Sequence, residues 1–332
     1  MTVAGLAACG SQTTPAPTPV PTPSPLKITC PAASTITSPA GQPLPVHYAT
    51  PTTAGGTAPV QIACTPANDS IFPIGSTTVM CTATDAKSTT DSCSFGVTVS
   101  APARITLVRF VAFGDSMTAG EITDPNAVAP FFDKLVLVPS KSYPADLQTE
   151  LSTRYTAQSI TVDNAGVQGE SVRTKTTEPR LVSVLSSGAY QVLLLMEGAN
   201  DINSRDSATI APTIAIMDRM VRDATSRGIR VFLATLPPQN PLGPLGTGAI
   251  LVQPYNDSLK SVAAADNATL VDVYQAFGGD TTTLIGPDGL HPTVAGYQRI
   301  ADTFFASIKQ TLELPGSPAT LSLPPVNAAT RR

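Results

Sequence analysis

Two patterns of apolar residues divide the chain. Beyond position 104, short unbroken apolar runs alternate with longer stretches in which apolar residues recur at helical spacing. The runs are Ile105–Phe113, Ile160–Asp163, Tyr190–Glu197, Ile229–Leu236 and Thr269–Val273, the third containing Val192-Leu193-Leu194-Leu195-Met196. The intervening stretches predict helices over Tyr143–Tyr155, Glu178–Ser186, Ala208–Arg227, Ile250–Ala265 and Pro292–Leu312. Pro144 suits the first turn of its helix, and Gly228 suits the C-terminal end of another. Near-continuous apolar strands joined by crossover helices predict a parallel sheet covered on both faces. Residues 27–100 follow a different rule. Short alternating segments, among them Pro45–Thr50, Pro59–Cys64, Gly75–Thr84 and Ser92–Val99, are separated by Gly, Pro, Asn and Asp, as in a small β-sandwich.

The junction is Ala101-Pro102-Ala103. From Pro15 to Pro25 every second residue is proline, which excludes helix and central strand. This segment is expected to extend as a polyproline spacer, at about 3.1 Å per residue. No periodicity is evident after position 314. The expected organisation is therefore a terminal segment and linker over 1–26, a sandwich over 27–100, an α/β domain over 105–315 and a flexible tail over 316–332. No apolar run reaches the ~20 residues that cross a bilayer as a helix.

Composition narrows the partners. The 332 residues carry a formal net charge of -4 with only 13% charged side chains, and no Lys/Arg stripe interrupts them. That argues against nucleic acid. Absent tryptophan and 5% aromatics argue against a stacking platform for bases or sugars. Of the five cysteines, Cys30, Cys64, Cys81 and Cys93 lie in the sandwich region, Cys9 stands alone, and none follows. Four cysteines in a small β region read as two disulfides and an oxidising compartment. No Cys-x-x-Cys spacing suggests zinc.

Open parallel sheets place their chemistry beyond the carboxyl ends of the strands. Gly114-Asp115-Ser116-Met117-Thr118-Ala119-Gly120 ends the first run, where a buried strand would deliver one hydroxyl to the sheet edge. Asn164-Ala165-Gly166-Val167-Gln168-Gly169-Glu170-Ser171 follows the second run and Gly198-Ala199-Asn200-Asp201 the third. Asp288-Gly289-Leu290-His291-Pro292 precedes the last helix. His291 is the domain's one histidine, so it is the one imidazole available as a general base. His47, the other histidine, sits in an alternating strand and reads as a packing or surface residue. Pro292 at a helix start would put His291 at the positive end of the helix, a field that favours neutral imidazole. Glu197 reads as a solvated strand end, while Asp115 and Asp201 read as loop braces.

Together the four fragments resemble the SGNH/GDSL hydrolase superfamily over about residues 105–315. The resemblance implies a flavodoxin-like three-layer α/β/α domain with a parallel sheet in the order 2-1-3-4-5. It also implies a catalytic Ser116, His291 and Asp288, with an oxyanion hole built from the Ser116 and Gly169 backbone N–H groups and the Asn200 amide. No cofactor or metal is implied. The absence of a Gly-x-Ser-x-Gly elbow argues against the α/β-hydrolase fold.

The sandwich region resembles the HYR (hyalin repeat) module, an immunoglobulin-like extracellular domain. The resemblance rests on Ala58-Pro59-Val60, Cys64-Thr65-Pro66, Phe72-Pro73-Ile74-Gly75 and Cys81-Thr82-Ala83-Thr84-Asp85. Three connectivities are open to its four cysteines; the expected one joins Cys64 to Cys81 across adjacent strands and Cys30 to Cys93 from first to last. Leu6-Ala7-Ala8-Cys9-Gly10 resembles a bacterial lipobox, which would make Cys9 a lipidated anchor, although no basic or full apolar region stands before it. These features predict an exported, envelope-bound or secreted serine esterase acting on acetyl or short acyl esters, carbohydrate-linked ones included. Its membrane contact would be through a lipid anchor alone, and glycan or cell-surface contact would fall to the HYR-like module. A lipase or thioesterase of the same superfamily, and an adhesion protein with a vestigial hydrolase domain, are the alternatives. The loops 121–142 and 237–248 carry no motif that names a substrate.

Overall fold

The computed structural model describes residues 24–124, 134–203 and 205–314. Cys9, the linker up to residue 23, the middle of the 121–142 loop and the tail lie outside the described residues. Among the described residues two compact units are formed: one from residues 24–36 with Gln42–Ser100, the other from Thr37–Gly41 with residues 101–314.

In the first unit, four antiparallel strands run in the order Ser34–Thr37, Thr90–Ser100, Gly75–Thr84, Gln61–Thr65. Two strand pairs accompany them, Lys27–Thr29 with Thr52–Ala54 and Leu44–Pro45 with Ile71–Phe72. Alternation does the sorting: Val79, Cys81 and Ala83 turn inward from one long strand, and Phe95, Val97 and Val99 from the next. Tyr48 meets Phe72 and Phe95 edge-on at 6.3 and 5.2 Å between ring centroids. The cysteines pair as Cys30–Cys93 and Cys64–Cys81. His47 is exposed, with Nδ1 3.0 Å from Asp69.

The second unit is built on a five-stranded parallel sheet. Its strands are Arg109–Gly114, Thr161–Gly166, Val192–Met196, Arg230–Ala234 and Thr269–Val271, in spatial order second, first, third, fourth, fifth. Helices Tyr143–Arg154 and Val294–Leu312 pack together, and Thr177–Ser187, Ile210–Ser226 and Ala249–Ala265 form a second group, giving three α/β/α layers. Tyr143 and Phe304 stack at 5.1 Å between the first two helices. Helix Ile210–Ser226 ends as its glycine predicts: Gly228 has φ 75°, its N–H donates to Thr225, and the Ile229 N–H donates to Ala224.

Several boundaries differ from the sequence reading, each for a tertiary reason. The first strand begins at Arg109, because Ile105 instead bridges Glu313 and exchanges two hydrogen bonds with the Gln158 side chain. The second strand runs on through polar Asp163 and Asn164 to Gly166, since it lies at the sheet edge with half of its residues wet. The last helix begins at Val294, capped by the Thr293 hydroxyl, while Pro292 sits in a β-bridge with Ile285. A hairpin, Glu121–Thr123 with Leu135–Leu137, occupies part of an expected loop. Among the described residues no helix is long and apolar enough to cross a membrane.

The two disulfides close loops of unequal length, with sequence separations of 63 and 17. Chain entropy then assigns about 4 kcal/mol to Cys30–Cys93 and about 3 kcal/mol to Cys64–Cys81. In the full chain, paired Cys→Ser replacement at 30 and 93 should therefore lower the thermal stability of this unit more than replacement at 64 and 81. The reverse order would count against an entropic origin.

Candidate active site

Strand register brings the loops together. Gly114 at the end of the first strand pairs with Gly166 on one side and Met196 on the other. Ser116 lies two residues beyond Gly114, Gly169 three beyond Gly166 and Asn200 four beyond Met196, so all three leave one edge at one level. The space is tight. A Cβ on Gly114 would come within 2.2 Å of the Met196 carbonyl, and one on Gly166 within 2.2 Å of the Ala119 nitrogen. Only glycine leaves room for the short helix Ser116–Ala119 to cross the strand ends. Asp115 caps that helix by accepting from the Met117 N–H at 2.9 Å.

The structure brings Ser116, His291 and Asp288 into one hydrogen-bonded line. Ser116 Oγ lies 2.9 Å from His291 Nε2, and His291 Nδ1 lies 2.9 Å from Asp288 Oδ2. All three residues are buried. Asp288 Oδ1 accepts from the Leu290 and His291 N–H groups at 2.7 and 2.8 Å, and Oδ2 also accepts from Thr123 Oγ1 at 2.7 Å. Burial alone would raise this carboxyl, but His291 and these donors hold it below the usual carboxylate range. The Pro/Gly-rich loop over 237–248, opaque in sequence, braces the turn: the Leu245 N–H donates to the Asp288 carbonyl and the Asn240 N–H to the Gly289 carbonyl.

The opposite wall is built around Glu170 and Asp201. Asn200 Nδ2 donates to the Glu170 carbonyl at 2.7 Å, leaving its second N–H unused in that bond. Gly169, adjoining Glu170, has φ 70°, and a Cβ there would meet nothing within 4 Å. Asp201 accepts from Ser171 Oγ and from the Val172 and Arg173 N–H groups, fixing the loop. Arg180, unremarked in sequence, pairs with Glu170, donates to the Ala165 carbonyl at 2.6 Å and lies 3.7 Å over the Phe113 ring.

Two expectations are corrected here. The field at His291 does not favour the neutral imidazole. Burial would lower its pKa, but hydrogen bonds and charge from Asp288 and Glu121 outweigh burial and raise it to about 9. The helix begins only at Val294 behind its Thr293 cap, and two carboxylates lie against the imidazole. The second is Glu197, which is fully buried rather than solvated, its backbone carbonyl accepting from Tyr255 OH at 3.0 Å. Burial, with Asp115 and Glu170 nearby, pushes its carboxyl well above the usual range. Asp115 is likewise pushed up to about 7, chiefly by burial.

The residues sequence reasoning missed are Glu121 and Thr123. Glu121 Oε2 lies 3.3 Å from His291 Nε2, and Oε1 accepts from Gln168 at 2.8 Å. The one signal for them was their position directly after the Gly114–Gly120 fragment.

A model of the GDSL-like Lipase/Acylhydrolase family matches residues 112–299. The chain belongs to that family. Its hydrolase unit therefore carries the family's fold, and a model of the HYR domain matches residues 22–99. Similar solved structures include a point-mutant form of an acetyl xylan esterase from Geobacillus stearothermophilus, 22% identical, covering 61% of this chain and 96% of that one with a TM-score of 0.47. Another is a member of the lipolytic protein G-D-S-L family from Veillonella parvula DSM 2008, 19% identical, covering 59% and 96% with a TM-score of 0.44. No curated protein matches the chain.

The raised Glu197 carboxyl has a consequence for stability. In the folded protein this carboxyl ionises at a higher pH than the about 4.3 of the unfolded chain, so its contribution is present below that pH and is lost as pH rises through the folded value. Glu197→Gln, neutral throughout, should gain melting temperature relative to wild type at pH 8 and not at pH 4. An equal difference at both pH values would contradict a raised Glu197 carboxyl.

Proposed function

We infer that the protein is an exported serine esterase that hydrolyses carboxylic esters through Ser116, His291 and Asp288. The observation that carries this reading is the hydrogen-bonded line Ser116–His291–Asp288 at the carboxyl edge of a parallel sheet. Acyl transfer needs a nucleophile, a base, a group that orients the base, and donors for the oxyanion. Ser116 Oγ attacks the ester carbonyl carbon as His291 Nε2 takes its proton, and Asp288 holds Nδ1–H. The Ser116 and Gly169 N–H groups and the free N–H of Asn200 receive the oxyanion. His291 then protonates the departing alcohol, and water activated by the same imidazole releases the acid from Ser116.

Two disulfides and the HYR match support a location outside the cytoplasm. The ester substrate is of acetyl or short acyl type, carbohydrate-linked esters included, and the HYR domain supplies glycan or surface contact. Cys9, in its lipobox-like setting, is the anchor point. Mass spectrometry of the N-terminal peptide from membranes should find diacylglycerol on Cys9; an unmodified Cys9 rules the anchor out.

A fluorophosphonate probe should label wild type and not Ser116→Ala, and His291→Ala should abolish ester turnover. Asn200→Ala should lower kcat by about 10²–10³-fold, the usual cost of one oxyanion donor. A folded wild type that takes no label would sink the reading.

A further inference from the structure

The strand Glu121–Thr123 lies directly after the nucleophile's helix, and its two like-facing residues meet the two ends of the Asp288–His291 pair. Thr123 Oγ1 donates to Asp288 Oδ2 at 2.7 Å, and Glu121 Oε2 stands 3.3 Å from His291 Nε2. A period of two along the strand puts both side chains on one face. The strand is fixed from behind: Glu121 pairs with Leu137, and its carbonyl accepts from Tyr297 OH at 2.6 Å. Glu121 is itself buried, and its other oxygen is held by Gln168, the residue before Gly169.

One ring nitrogen therefore faces two oxygens, Ser116 Oγ at 2.9 Å and a carboxylate at 3.3 Å. When Nε2 is unprotonated, its lone pair points at the negative charge and is disfavoured. Once Nε2 carries a proton, the same carboxylate attracts it. We propose that Glu121 is a positioning residue for the base, a second carboxylate that stabilises the imidazolium formed when Ser116 gives up its proton. This rests on the assignment of His291 as base.

The groups facing the imidazole are Asp288 on its own loop, Glu121 on the hairpin and the Ser116 hydroxyl, with the charge of Asp115 felt from the first strand's end. Glu121 faces His291 and the Gln168 amide, and the charge of Asp288 opposes its own. Its hydrogen bond with His291, against the cost of burial, keeps its carboxyl below the usual range, so it is ionised when the base must work. The consequence is a strong base that is free only in alkaline solution. Removing the charge should weaken the base and free it at lower pH.

The test uses the chain's two histidines, since His47 is exposed and replaceable. In a His47→Gln background, His291 is titrated by NMR of its imidazole nitrogens, with and without Ser116→Ala, alongside the pH profile of kcat/KM. Wild type should show His291 titrating in the alkaline range and the acid limb of kcat/KM following it. Glu121→Gln should lower both by about one pH unit or more, the usual effect of one close opposite charge. It should also depress the alkaline plateau, and Glu121→Asp should restore most of the shift. Glu121→Gln with an unmoved His291 titration overturns the proposal, as does a wild-type His291 that titrates near 6.5. Full turnover by Ser116→Ala would instead defeat the nucleophile assignment, while the NMR titration would still decide Glu121.

Discussion

The rest of the hydrolase unit depends on the parallel pairing of one strand, Arg109–Gly114, with a neighbour on each side. Gly166 and Met196 both stand opposite Gly114, so the three loops that follow start level with one another. Parallel strands point all their carboxyl ends one way, and side chains from remote parts of the chain gather there. The glycines at this edge serve clearance: the backbone at Thr118 and Ala119 passes where a Cβ on Gly166 would be, and the Thr118 side chain and the Met196 carbonyl stand where one on Gly114 would be.

That gathering concentrates acid. Asp115, Glu170, Glu197, Asp201, Glu121 and Asp288 all come to one edge, where Arg180 and His291 are the cations that meet them. Burying a lone carboxylate is costly, and the unit meets the cost in two ways. Asp288 and Glu121 receive donors or a cation that hold their carboxyls below the usual range. Glu197 has no cation beside it among the described residues, and burial with Asp115 and Glu170 nearby pushes its carboxyl up. His291 lies on the acidic side of this field, so its basicity comes from neighbouring carboxylates rather than from a helix end. The HYR unit solves a different problem. With a small core of Val, Phe and Tyr around Cys81, it relies on two covalent links for what a larger domain obtains from burial.

Much was legible where a local pattern carries the information. Ser116, Gly169 and Asn200 follow apolar runs whose strand character needs no tertiary help, and His291 had no competitor in its domain. The edge strand Thr161–Gly166 was read short because half of it is solvated, and apolar periodicity marks only buried positions. Glu197 looked like a polar strand end, yet Tyr255, 58 residues on, covers it. Glu121 could not be singled out, because its partner is 170 residues away in the chain and nothing between them marks the meeting. The cysteines teach the same lesson at shorter range. In the ladder Cys81 stands opposite both Cys64 and Cys93, so register alone leaves two pairings, and the arrival of Cys30 beside Cys93 decides.

By itself the sequence determined the two-unit plan, the parallel sheet and the candidate residues at its carboxyl edge. These follow from periodicity and residue type, which are local properties. The tertiary structure alone decided the charge state in which those residues meet. Coulomb energy depends on separation and on the water between the groups, and both are set by contacts between segments far apart in the chain. The imidazole of His291 is the same group in either description; its closeness to Asp288 and Glu121 is what raises its pKa.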